Sequence, residues 1–171
     1  MRLFLTILLN TFIATAIIYL LIVILDVSFV VSFSSIMKHH AHDLTVILTN
    51  KRDNLIKLME VLINQGTKLD KKKVEQLHNF DLKRIETHDG EDARLAREEL
   101  TSLSDYFMSI EAKNQNEEYF KSIENINELE KVYRHHLMMY NADVLGYNFW
   151  ISFFPTRFIY LILRFKYKEN I

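Results

Sequence analysis

No cysteine occurs among the 171 residues, so the chain has no disulfide framework, no thiolate nucleophile and no cysteine-based metal site. Glycine and proline are nearly as scarce, with three copies and one, against average usages of roughly 7% and 5%. The residues that make tight turns, hairpins and phosphate-cradling loops are almost gone, and long helices are the expected outcome. With glycines only at 66, 90 and 146, neither a dinucleotide loop nor a phosphate-binding loop can form, and no Gly-x-Ser-x-Gly elbow is present. A net charge of −1 lacks the basic excess of a nucleic-acid binder. The cluster Lys71-Lys72-Lys73 reads as the solvated start of a helix. At this length, one domain with a modest core is expected.

What is present begins at the N-terminus. From Leu3 to Leu25 the sequence LFLTILLNTFIATAIIYLLIVIL carries no charge. As a helix rising ~1.5 Å per residue it would reach about 34 Å, enough to cross a hydrocarbon core roughly 30 Å thick. Ala14-Thr15-Ala16 has the small-x-small form of a signal-peptide cleavage site, but the apolar run continues well past it, where a cleaved leader turns polar. The segment is therefore expected to be a retained transmembrane helix over residues 1–26. Asp26, the only charge between Arg2 and Lys38, falls where the chain should leave the bilayer and is expected to mark the water interface.

No glycine or proline interrupts Met1 to Gln65, so the span can continue as an amphipathic helix. Phe33, Met37, His40, Leu44, Ile47, Lys51, Leu55, Leu58 and Leu62 recur at spacings of three and four and make one stripe. Gly66 supplies a stop and Asp70 an N-cap. KKKVEQLHNFDLKRIETH, residues 71–88, reads as a second helix, and HDGED breaks the chain. A third helix follows, with Leu95, Leu100, Leu103, Phe107 and Ile110 toward one side. Polar KNQNEE turns the chain again. The last segment is the most regular, with Tyr119, Ile123, Ile126, Glu130, Tyr133, Leu137, Tyr140, Val144, Tyr147 and Ile151 as a heptad seam. The expected fold is all-α: the transmembrane helix continuing into an antiparallel up-down four-helix bundle, two helices long and two shorter, over residues 27–155. An apolar and basic tail occupies residues 156–171.

Tyr140-Asn141 and Tyr147-Asn148 lie one heptad apart. Asparagine is a poor mid-helix residue unless its amide bonds something, so the pair suggests side-chain bonds between neighbouring helices. Pro155 then ends or kinks the helix, pushing Ser152-Phe153-Phe154 away from helical geometry. Trp150, Phe153, Phe154, Phe158 and Tyr160, with Arg157, Arg164 and Lys166, fit either a lipid interface or a hydrophobic cap on the bundle.

The stretch YNADVLGYNFWISFFP resembles the most characteristic signature of the LemA family, two Tyr-Asn or Phe-Asn pairs followed by Phe-Pro. SIENINELEKVYRHHLMMYN is similar to the glutamate-bearing helix that precedes it, and KRDNLIKLMEVL to an upstream basic pair followed by Leu-Ile. Arg157, Tyr160 and Arg164 stand where the family usually has an asparagine, a small residue and a glycine, which makes the chain a divergent match. The resemblance implies a bacterial membrane-anchored helical bundle and brings no agreed biochemical activity with it.

Catalytic chemistry finds little support. A ferritin-like di-metal site needs two Glu-x-x-His motifs and two further inward glutamates, and only Glu75-x-x-His78 is present. Glu98-Glu99, Glu117-Glu118 and the pair Asp89 and Glu91 read as solvated faces and caps. The expectation is a non-enzyme without cofactor, metal or catalytic residue. It would be a single-pass cell-membrane protein touching lipid through residues 3–25, with residues 149–165 open to either a further lipid contact or a cap on the bundle. It would meet other membrane or envelope proteins, or its own copies, through helix faces. One alternative is a metal- or small-ligand-binding envelope sensor using His39, His40, His42, His135 and His136, although histidines on packed stripes are more often packing residues. A second alternative is a membrane-remodelling scaffold.

Overall fold

The computed structural model describes residues 1–86, 91–111, 116–153 and 156–169, without the side chains of Glu86 and Glu91. Residues 88–90 of the expected break HDGED, Asp89 among them, and 113–115 of the expected turn KNQNEE, with Phe154 and Pro155, lie outside the described residues, while Glu91-Asp92 and Glu117-Glu118 at their ends already belong to helices. The described chain is all-α, in the order α1 Arg2–Asn64, α2 Lys71–His78, α3 Lys83–Glu86, α4 Glu91–Met108, α5 Glu117–Ser152 and α6 Arg157–Ile162. Two compact units divide it: a terminal unit joining Met1–Lys38 to Ala142–Asn170, and a central unit, His39–Asn141. These boundaries fall within α1 and α5, whereas the divisions at residues 26 and 155 mark changes of composition.

In the central unit the stripe on α1 packs as its spacing requires, with Leu55, Leu58 and Leu62 fully buried. α1 stops at a Schellman turn. Gly66 takes φ +70°, its N–H bonds the Ile63 carbonyl, and the Thr67 N–H reaches back to Leu62. Only glycine adopts that backbone without penalty, so the stop is encoded in one residue. The Asp70 carboxylate then accepts from the Lys72 N–H at 2.9 Å and caps α2.

The expected second helix over 71–88 is broken. α2 ends after His78, and Asp81 restarts the chain by accepting from the Lys83 N–H at 3.0 Å. Asn79 and Asp81 favour such local bonds over helix continuation, and the break lets Phe80 turn inward to join Leu77 and Ile85 in the core. α4 presents Ala93, Ala96, Leu100, Leu103 and Phe107 to that core. Leu95, expected on this face, is 44% exposed; the two small alanines take its place. Tyr119 and Ile126 from α5 complete the cluster.

In the terminal unit residues 2–25 of α1 stand almost bare, while Val30 and Met37 on α1 and Val144, Tyr147 and Ile151 on α5 are buried. Phe29 and Trp150 stack with ring centroids 4.8 Å apart and planes 9° from parallel. Gly146 admits the Phe33 ring, since a Cβ there would lie 2.8 Å from it. The seam on α5 is thus buried or half-buried at every position from Tyr119 to Ile151.

The tail folds back. Asn148 donates through Nδ2 to the Lys168 carbonyl at 2.8 Å and accepts from the Lys168 N–H at 2.9 Å. Its amide therefore pins the tail, where a bond to a neighbouring helix was expected. α6 ends in a second Schellman turn: the Phe165 N–H bonds the Tyr160 carbonyl, the Arg164 N–H bonds Leu161, and the Tyr160 and Phe165 rings meet at 5.5 Å. The left-handed residue is Arg164, at φ 58°. A non-glycine residue there costs roughly 1–2 kcal/mol, of which glycine's extra chain entropy would return part. Arg164→Gly is expected to stabilise the turn by about 0.5–1 kcal/mol. Amide exchange at Phe165 should slow about threefold; faster exchange would contradict this geometry.

Candidate functional site

α1 carries His39, His40 and Asp43 within little more than one turn, and the i, i+3 and i, i+4 spacings bring the imidazoles to the carboxylate. His39 Nε2 lies 3.6 Å and His40 Nδ1 4.0 Å from Asp43 Oδ2. α5 adds His136, whose Nδ1 is 3.6 Å from the same oxygen. The His40 and His136 rings meet edge to face at 5.8 Å, and His135 lies beside His136 at 6.0 Å. One carboxylate oxygen is thus surrounded by three imidazole nitrogens. His40 is buried, Asp43 and His136 are half-buried, and His39 and His135 are exposed. His42 stands apart on an exposed face of α1.

Two turns further along α1, Lys51 reaches Glu130 on α5 at 2.7 Å, with the Lys51 side chain 3% exposed. Arg134 holds the other oxygen of Glu130 at 3.0 Å. Burial alone would raise the Glu130 pKa, but the donors from Lys51 and Arg134 outweigh it and hold the carboxyl below its ordinary range. The phenol of Tyr133, one turn on, is pushed up by burial. A third polar group joins α3 to α4: Arg84 bonds Asp92 at 3.1 Å and Glu99 at 2.9 Å. Both carboxylates raise its pKa, keeping the guanidinium charged. Glu98 pairs with Arg94 at the surface.

In the terminal unit Asp26 is 2% exposed and accepts a hydrogen bond from the Thr156 hydroxyl, with the buried Tyr160 side chain in the same enclosure. The sequence placed Asp26 at a water interface; the tail covers it. A carboxylate removed from water is retained only with hydrogen-bond partners, and Thr156, 130 positions away, supplies one. The tail also divides its residues: Thr156 and Tyr160 are buried, whereas the apolar Phe158, Leu161, Ile162 and Leu163 are exposed.

Four of the five histidines singled out from sequence come together, and His42 does not. Asp43 was missed, although its spacing from His39 and His40 could have shown it. No protein-family model, no curated protein and no solved structure matches the chain.

Proposed function

We propose that this chain is a membrane-anchored, non-enzymatic docking module of the LemA type in the bacterial cell membrane. Residues 3–25 of α1 span the bilayer, and an up-down helical bundle meets other membrane or envelope proteins. The observation that carries this reading is the contrast along α1. Only 11% of its most apolar stretch is buried, whereas the stripe from Leu44 to Leu62 is packed. A soluble core helix would bury its most apolar part; here that part is what other protein leaves uncovered, and lipid is the medium that solvates it. Exposed Phe149, Phe158, Leu161, Ile162 and Leu163 in the terminal unit extend the apolar surface offered to the bilayer.

The mechanism is docking, with the span confining the partner search to two dimensions. In the central unit Val132 and Met138 are exposed on α5, at 44% and 65%. A photocrosslinker introduced at each of these positions in intact membranes tests the reading. Adducts to a second polypeptide, identified by mass spectrometry, are expected. Adducts confined to this chain and to lipid at both positions would overturn docking by the helical unit.

A further inference from the structure

We propose that His40, Asp43 and His136 form a binding site for a divalent transition-metal cation of the zinc class, an inference independent of the docking reading. The ligand atoms of these three residues lie within 4.8 Å of one another. The two imidazole nitrogens are 4.0 Å and 3.6 Å from Asp43 Oδ2, longer than the ~2.7–3.2 Å of a hydrogen bond. A tetrahedral zinc ion bound at ~2.0–2.2 Å holds its ligand atoms about 3.4 Å apart. The 3.6 Å and 4.0 Å separations are nearer to that edge than to a direct imidazole-carboxylate hydrogen bond, and the ligand atoms, now spread over 4.8 Å, would draw inward on binding. His136 Nδ1 is also buried without a hydrogen bond, and buried polar atoms normally have a partner. A cation would supply one.

The donor set selects the ion. Two imidazoles and one carboxylate suit zinc and its transition-metal neighbours, while calcium and magnesium prefer oxygen ligands throughout. Three protein ligands leave a fourth position for water or for the exposed imidazole of His39, whose Nε2 is 3.6 Å from the same Asp43 oxygen. His40 and Asp43 come from α1 and His136 from α5, so the ion would clip the two long helices together within the central unit.

The test uses the full-length chain in detergent, purified with a tag free of histidine and titrated near neutral pH with Co2+ alone. Saturable binding of one equivalent is expected, with visible d–d absorption of nitrogen and oxygen ligation, and Zn2+ should displace it. His136→Gln and Asp43→Asn should each weaken binding at least about 100-fold, the upper end of what loss of even a ligand-supporting group costs. His42→Gln should leave it unchanged. Circular dichroism on each variant separates loss of a ligand from loss of fold. Independently of any variant, bound Co2+ should broaden the imidazole signals of His40 and His136 in the wild type before those of His78. Absence of a saturable equivalent, wild-type affinity in a helical His136→Gln chain, or earlier broadening of His78 would each overturn the site.

Discussion

Glu130→Leu is expected to lower the unfolding free energy of the full-length protein in detergent by about 3–5 kcal/mol, the cost of breaking a buried ion pair from one side. The loss comes mainly from Lys51. Its side chain is 3% exposed, and Glu130 Oε2, at 2.7 Å, is its partner in the fold. With the carboxylate gone, an ammonium is left away from water without its counter-charge. Lys51→Met combined with Glu130→Leu should recover most of the loss, since an apolar pair of similar volume replaces a buried ion pair at little cost. If the double variant is as unstable as the single one, the pair is not the cause. The same pair sets an acid limit. The folded pKa of Glu130 is lowered from 4.5, so its contribution is fully present above that value. It is lost as pH falls through the lower, folded pKa. Denaturant midpoints measured from neutral to acid pH should therefore drop more steeply below about pH 4.5 in the wild type than in the double variant.

Phe107→Ala is expected to cost about 3–5 kcal/mol, and Leu95→Ala no more than about 0.5 kcal/mol. Both side chains are large and apolar and lie on α4, but Phe107 is fully buried and Leu95 is 44% exposed. Removing the ring leaves a cavity beside Leu100 and Leu103, which share its core cluster. It also removes the edge-to-face contact with Tyr106, at 5.0 Å. Tyr106 in turn accepts from the Asp70 N–H at 2.7 Å, where α2 begins, so the damage should reach that turn. Urea unfolding followed by circular dichroism gives both values. Equal effects of the two substitutions would mean that α4 packs through a different face.

The two long helices were legible because their apolar residues repeat over many turns, and repetition averages out local exceptions. The stripe from Phe33 to Leu62 and the seam from Tyr119 to Ile151 were read residue by residue. Shorter segments gave less to average. The break after His78 follows from the capping habits of Asn79 and Asp81, which the apolar pattern of residues 71–88 masked. Leu95 was assigned inward by hydropathy, yet Ala93 and Ala96 take the core-facing positions of that turn. The histidine cluster was half legible. His39, His40, His42, His135 and His136 were grouped as candidate ligands, of which His42 stands apart, while the carboxylate of Asp43 was passed over. The Asp26 to Thr156 and Asn148 to Lys168 bonds were not readable, because each depends on the tail folding back, which no local pattern encodes. Arg164 combines both kinds of information. Its position was singled out as one where glycine is usual in the resembling family, and its backbone is left-handed.

Alkaline carbonate extraction of membranes containing the full-length chain tests the membrane-anchor claim most directly. A helix whose uncharged residues 3–25 lie in lipid should keep the intact polypeptide in the membrane pellet. Release of the intact, uncleaved chain into the supernatant would contradict it.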